Sequence, residues 1–387
     1  MTLNVKSKLL TSLAACALLA ACSDEIVNEP TELEDVESQF EIDVRWSESV
    51  GEGADDKFND LTPAVWNDYI ITADIEGLVT AFDRESGDIV WEVELNEPLS
   101  GGISANAGLV AIGSKKAKVI VLNVDDGSEL WRADVSSEVL AKPAIEGTKV
   151  VVRTADGRIF ALDSTDGDQE WFYDRVIPSL TIRGTSAPLT TSGIVLTGFA
   201  NGKLAAFNLD SGDLLWEQRV SSPRGSSDIS RIVDVDTTPV LYGDTLYGAG
   251  YNGYAIAMDL SNGRYLWREE LSTVKDLLVD TLRVYAVTTD GTVVAINRTT
   301  GDVAWKQEGL KYRSPTAAAE LGDDLVLGDF EGYVHFLDKS TGEIVARDHL
   351  DDYGFAHKPI VTDDEVILTS RFGFMYVFNK VEEDSEE

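Results

Sequence analysis

The chain has 387 residues and carries 68 acidic against 32 basic side chains, a net charge of −36. A surface of that sign repels phosphate, so nucleic acid is excluded as a partner. A hydrophobic content of 43% with 32 glycines and 8 tryptophans fits a packed all-β protein, not a disordered chain.

Residues 1–21 contain Lys6 and Lys8, an apolar run from Leu9 to Leu19, and no acidic residue. A charged start, a short apolar core and small residues after it predict a secretory signal peptide. The run falls short of the ~20 residues that a membrane-spanning helix needs. Leu19-Ala20-Ala21-Cys22 matches the bacterial lipobox, in which the chain is cut before the cysteine and its thiol and new amine are acylated. Ser23, not Asp, follows, as in lipoproteins sorted to the outer membrane. Several acyl chains on Cys22 make a stable anchor. The other cysteine, Cys16, leaves with the signal peptide, so the mature domain is expected to hold neither disulfide nor free thiol. Its stability must come from packing. Residues 22–39 then read as the lipidated cysteine and an acidic tether, with Asp24, Glu25, Glu29, Glu32, Glu34, Asp35 and Glu37 and no Lys or Arg.

At Phe40 the pattern changes to an alternating strand, Phe40-Glu-Ile-Asp-Val-Arg-Trp46. A repeat follows: Asp83…Gly87…Trp91, Asn123…Gly127…Trp131, Asp163…Gly167…Trp171, Asn208…Gly212…Trp216, Asp259…Gly263…Trp267 and Asn297…Gly301…Trp305. A seventh copy, Asp338…Gly342, has Ala346 in place of the Trp. Asp or Asn always stands four residues before the turn glycine, and the Trp four after it. The alternating apolar residues on both sides predict a β-hairpin whose Asp accepts backbone N–H groups and whose Gly takes a positive φ. A period near 40 residues with several short strands per unit marks a propeller array. Pro63, Pro143, Pro188, Pro239, Pro315 and Pro359 open first strands, where no ladder donor is lost. Lys115-Lys116 stand where other units carry a turn glycine, which predicts a distorted inner hairpin in the second blade.

The last unit, Gly373 to Asn379, has its apolar run but no outer strand or Trp. The N-terminal strand ending at Trp46 has both and lacks the rest. Their pairing closes the ring without an exposed edge. The expected fold is therefore an all-β, eight-bladed propeller of four-stranded antiparallel blades over 40–380, its N-terminal strand pairing into the C-terminal blade, followed by an acidic tail at 381–387.

Shared residues build the scaffold of an array, and its insertions carry function. From Trp305 to Pro315 is 10 residues and from Trp131 to Pro143 is 12, but Trp171 to Pro188 is 17 and Trp216 to Pro239 is 23. These two enlarged connections, 172–187 and 217–238, follow consecutive blades and must emerge side by side on one face. They interleave apolar residues with charge: Leu180, Ile182 and Arg183 in the first, Ile229, Arg231, Ile232, Asp234 and Asp236 in the second. Two readings fit, an interface of apolar anchors with a charged rim or a plug for the central channel. Arg183 or Arg231 is placed to pair with Asp234 or Asp236. Elsewhere the chemistry is sparse. His335, His349 and His357 lack metal-ligand spacing, and no nucleophile elbow or phosphate loop occurs, so no catalytic residue, metal or cofactor is expected.

The Asp-x-x-(Ser/Thr/Asn)-Gly-x-x-x-Trp unit resembles the repeat of pyrroloquinoline-quinone-dependent dehydrogenases, eight-bladed propellers whose tryptophans dock between blades. That resemblance implies a structural girdle of Trp46, Trp91, Trp131, Trp171, Trp216, Trp267 and Trp305. Those enzymes are much larger, and many hold the quinone with a vicinal Cys pair and calcium. The mature chain lacks a Cys pair, which leaves a quinone-binding or dehydrogenase-like propeller as the alternative. The lipobox, acidic tether, repeats, Leu180-Thr-Ile-Arg-Gly184 and Arg231-Ile-Val-Asp-Val-Asp-Thr-Thr-Pro239 together resemble the BamB family, propeller lipoproteins of the β-barrel assembly machinery. The resemblance implies a non-enzymatic scaffold, anchored through Cys22 on the periplasmic face of the outer membrane. It also implies that Leu180, Ile182, Arg183, Asp234 and Asp236 bind the periplasmic POTRA domains of BamA, in support of folding and inserting β-barrel clients.

Overall fold

The computed structural model describes residues 28–53, 60–175, 178, 180–181, 186–223, 226 and 231–382. Eight four-stranded antiparallel sheets form the ring. Seven blades are continuous in sequence, at 64–94, 99–134, 144–173, 189–219, 240–271, 278–307 and 319–349. Blade 8 joins 360–382 to the N-terminal strand Phe40–Ser49, with Phe40 opposite Glu382 and Ser49 opposite Phe374. The expected closure is therefore the observed one. The last strand continues through Val381 to Glu382, into the segment read from sequence as tail.

Each sheet has a graded burial. Second strands such as Lys149–Arg153 are buried along their whole length, which is why they read as continuous apolar runs. Outer strands such as Ile89–Glu94 bury only one face. The hydrophobic core is divided accordingly into eight clusters, each bridging two neighbouring blades. One of them, for example, joins Ile71, Val79 and Trp91 of blade 1 to Val110, Ile112 and Ile120 of blade 2.

One contact repeats around the ring. In the first repeat Asp83 Oδ1 accepts the N–H groups of Glu85 (3.1 Å) and Ser86 (2.9 Å), and Gly87 N–H donates to the Asp83 carbonyl (2.9 Å). The turn glycine takes φ +77°, and a one-residue bulge follows between Ala81 and Phe82 of the partner strand. The bulge lets Ile89 and Val90 both face outward while Trp91 turns in. Each girdle Trp then donates Nε1–H to a carbonyl in the next blade's turn: Trp46 to Arg84 (3.1 Å), Trp91 to Val124 (2.9 Å), Trp131 to Ser164 (2.9 Å) and Trp171 to Leu209 (2.8 Å). The series continues with Trp216 to Leu260 (3.2 Å), Trp267 to Arg298 (2.7 Å) and Trp305 to Lys339 (3.0 Å). Its ring lies against the turn glycine of that blade; a Cβ on Gly127 would sit 2.5 Å from the Trp91 ring. The glycine is needed twice, for its φ and for the absence of a side chain.

Blade 8 has no such turn, because its third and fourth strands come from opposite ends of the chain. Blade 7 correspondingly has no Trp, and Ala346 is buried in its place. Phe40 packs edge-on against Phe336 there, with ring centroids 5.0 Å apart.

Two expectations are corrected. The second blade's Lys115-Lys116 turn does not distort its hairpin: Leu109–Ser114 and Lys118–Asn123 pair in unbroken register, because Ala117 supplies the left-handed residue at φ +60°. The irregularity lies one strand further in, between Leu99–Asn106 and Leu109–Ser114. The acidic segment is also more than a solvated tether. Thr31 N–H donates to Lys311 O (3.0 Å), Arg313 Nη1 to Thr31 O (3.2 Å), Arg347 Nη1 to Glu34 O (2.6 Å) and Gln39 N–H to Val345 O (3.0 Å). Leu33 packs into the cluster between blades 6 and 7. Beneath this strap, Asp329 Oδ2 accepts from Arg313 Nε (2.7 Å) and His335 Nε2 (3.1 Å), while Arg347 Nε donates to His335 Nδ1 (3.0 Å).

Because Trp131 is buried and carries both the ring contact and the hydrogen bond, Trp131→Ala is expected to destabilise the protein by roughly 3–5 kcal/mol. Trp131→Phe, which keeps most of the packing, is expected to cost only about 1 kcal/mol for the lost bond plus the volume difference. Urea unfolding of both variants measures the contrast.

Candidate functional site

All connections from one blade's outer strand to the next blade's inner strand emerge on the same face of an antiparallel meander. The two enlarged connections flank blade 4, and charge ties them together underneath. Arg175, which leaves blade 3 on the first connection, donates to Glu217 at the start of the second, and Lys203 bonds the other oxygen of the same carboxylate. Both bonds hold the Glu217 carboxyl below its ordinary range, against the opposing effect of burial. Arg175 and Arg153 lie over the ring of buried Phe199, with the guanidinium carbons 4.5 and 5.2 Å from its centroid.

The second connection is packed inward along residues 233–237. Gly198 lets the Val235 backbone approach, Val235 N–H donates to Phe199 O (3.3 Å), and Tyr251 N–H donates to Asp234 O (2.8 Å). Thr237 Oγ1 donates to Ala249 O (2.8 Å), and Thr238 N–H reaches Asp276 Oδ1 (2.7 Å). Val233 and Val235 enter the core. Asp234 and Asp236 are buried as well, and so do not form a charged rim. Burial, reinforced by the neighbouring Asp234 and opposed by Arg153, pushes the Asp236 carboxyl up to about 7. Arg153, wholly buried, is lowered to about 10 by desolvation and supported by Asp236 and Asp234, and so stays charged at neutral pH. Among the described residues neither Asp236 oxygen has a hydrogen-bond partner, nor do Nε and Nη1 of Arg153, so the pair interacts through space.

Leu180 is exposed, at 48% of its full surface. Arg231 is exposed too and forms no ion pair among the described residues, so the expected pairing of Arg231 with Asp234 or Asp236 does not occur. Ile182, Arg183, Ile229 and the lipidation candidate Cys22 lie outside the described residues. The plug reading finds no support in the described part of these loops, since neither Leu180 nor Ile232 lines the axial funnel. Arg153, Arg175, Phe199 and Glu217 were not expected from sequence. Arg153 does leave a trace, a charge closing the apolar run Val150-Val-Val152 where other second strands carry Ala73, Gly113 or Val287 at the matching register position.

The family model described as outer membrane protein assembly factor BamB matches residues 76–307. The chain belongs to the BamB family. It is 60% identical to the outer membrane protein assembly factor BamB of Kangiella koreensis, over the whole of both chains. Its fold matches the crystal structure of BamB from Moraxella catarrhalis with a TM-score of 0.81 and 30% identity, over 88% of this chain and all of that one. Quinohemoprotein alcohol dehydrogenase from Comamonas testosteroni also superimposes, with a TM-score of 0.70 over 90% of this chain and 78% of that one, but at 13% identity the likeness shows the propeller alone.

The raised Asp236 carboxyl sets a pH dependence. Its proton is held more tightly in the folded state than in the unfolded one, so stability is fully present below the unfolded value near 4 and is lost as pH rises through about 7. Urea midpoints of the native protein are expected to fall between pH 5 and pH 8, and Asp236→Asn is expected to flatten that fall.

Proposed function

We propose that this protein is a non-enzymatic scaffold lipoprotein of the outer-membrane β-barrel assembly machinery. It is anchored through Cys22 on the periplasmic face and binds the POTRA region of BamA through the paired loops flanking blade 4. The observation that carries the reading is their convergence. Two oversized connections meet on one face, exposed Leu180 stands at the surface, and a stack of buried Arg153 and Phe199 with half-buried Arg175 fixes the backbone below. An apolar anchor on a braced loop is the arrangement of an interface hot spot, where little ordering entropy remains to be lost on binding. The relatives' shared name, outer membrane protein assembly factor, supports the same assignment.

Within this reading the expected contact residues divide by role. Leu180, Ile182 and Arg183 face the partner. Asp234 and Asp236 act from beneath by holding the second loop, since buried carboxylates do not touch a docked protein. Client strands are assisted through BamA's position.

Leu180→Asp and Arg183→Glu are each expected to lower co-purification with BamA from solubilised outer membranes by at least about tenfold, with unchanged far-UV circular dichroism. Leu282→Asp, at a still more exposed apolar residue in the hairpin turn of blade 6, serves as the control and is expected to leave it unaltered. Normal recovery of BamA with both loop variants excludes this docking site.

A further inference from the structure

Five aromatic side chains are strongly exposed among the described residues, and four of them gather on one flank of the ring. Tyr312, Tyr353, Phe372 and Phe374 each leave between 39% and 52% of their surface open. Tyr312 lies in the connection into blade 7 and Tyr353 in the connection into blade 8. Phe372 is in the turn between the second and third strands of blade 8, and Phe374 begins that third strand. In an antiparallel meander these connections and this turn share one face. Backbone bonds join the loops into a continuous surface, Phe330 N–H donating to Arg313 O (3.2 Å) and Arg371 N–H to Gly354 O (2.9 Å). The rings of Tyr353 and Phe372 are 4.8 Å apart, and Tyr353 and Phe374 line one cleft.

The outward position of Tyr312 carries a cost. Its φ is +59°, and among the described residues it is the only aromatic residue with a positive φ. A bulky side chain is disfavoured in that conformation. The N–H bond from Tyr312 to Asp290 O (2.7 Å) holds it there, and the ring is left exposed.

The N-terminal strap ends beside this patch. Thr31 N–H bonds to the carbonyl of Lys311, the residue before Tyr312 (3.0 Å). Cys22 stands six residues before Asn28, where the described chain begins, a span of ~20 Å at most when extended. An acylated Cys22 therefore brings this flank to the bilayer, where tyrosine and phenylalanine rings settle at the headgroup level. Exposed Asp352 and Glu331 border the rings, so an anionic headgroup is repelled and a zwitterionic one is not.

We propose that Tyr312, Tyr353, Phe372 and Phe374 form a contact surface for a zwitterionic phospholipid bilayer, a second attachment beside the lipid anchor. The inference rests on the lipidation of Cys22 and not on the BamA docking loops, which lie at blade 4.

The test supplies the anchor chemically. One acyl chain is coupled to the Cys22 thiol, the only thiol of the chain from Cys22 onward, and partition onto phosphatidylcholine vesicles is measured by sedimentation. A single chain gives marginal, reversible binding, so a further contact shows directly in the partition constant. Tyr353→Ser/Phe372→Ser is expected to lower that constant at least about tenfold, with unchanged far-UV circular dichroism. Leu214→Ser/Leu215→Ser, at exposed residues beside the hairpin turn on the opposite face, is expected to leave it unaltered. Phe372→Trp, which keeps an aromatic ring in place, is expected to bind as the native chain does and to be quenched by brominated acyl chains. Equal partition of the native chain and the Tyr353/Phe372 variant, an unquenched Phe372→Trp, or binding that requires anionic lipid overturns the proposal. Whether the cell acylates Cys22 is read separately, from the mass of the N-terminal peptide recovered from outer membranes.

Discussion

The contact on which the ring depends is a tryptophan edge laid on a glycine. In each of the seven tight turns the glycine adopts a φ between +67° and +82°. In that conformation a Cβ is unfavourable, and the indole of the preceding blade occupies the space where it would project. The Nε1 bond to the same turn fixes the indole's angle, so one residue pair sets both the spacing and the tilt of adjacent blades. Because seven of the eight blade interfaces use this device, they are nearly interchangeable, and the ring closes only if the seam accommodates the eighth. The seam does so by subtraction. Blade 8, assembled from both chain ends, has no turn to receive an indole, and the residue that would supply one is Ala346. Phe40 from the incoming strand fills the gap against Phe336.

The same seam explains how the N-terminal segment is held. Its acidic side chains point to solvent, and composition alone reads such a segment as a linker. What clamps it is recognition of its backbone, since the Thr31 and Glu34 carbonyls accept from Arg313 and Arg347. Those arginines are oriented by Asp329 and His335. Arg347 donates to His335 Nδ1, so that nitrogen carries a lone pair and the ring's proton sits on Nε2, facing Asp329. A neutral imidazole satisfies both neighbours, in keeping with a histidine whose proton affinity burial lowers. Backbone recognition of this kind leaves no trace in the sequence of the segment recognised.

Legibility followed the same division. The number of blades, the seam and the girdle were readable because each rests on a residue type at a fixed spacing, repeated until coincidence is excluded. The enlarged connections were readable as departures from that spacing. Their interior was not. Asp234 and Asp236 look like rim charges when read along the chain, but Gly198 and Gly250 admit the 233–237 backbone so closely that the carboxylates are enclosed. Arg175, Glu217 and Phe199 come from three different strands or loops, and only the fold brings them together.

The positions of strap and loops constrain how the propeller stands on a membrane. The strap leaves the ring at blade 7, and the paired loops lie at blade 4, three blades away in a ring of eight. Under the proposed lipidation, Cys22 sits within a few residues of the clamped segment, and an extended chain reaches at most ~3.3–3.6 Å per residue. The flank at blade 7 is then held within roughly 20 Å or so of the bilayer, if the segment from Cys22 to Asn28 is fully extended. A tether clamped at one side of the ring restricts rotation far more than a free linker of the same length, since the anchor no longer pivots about Phe40. Under that lipidation the loops at blade 4 lie across the ring from the anchored flank. Loss of the Arg313 and Arg347 clamp would then leave the loops intact and remove only this restriction.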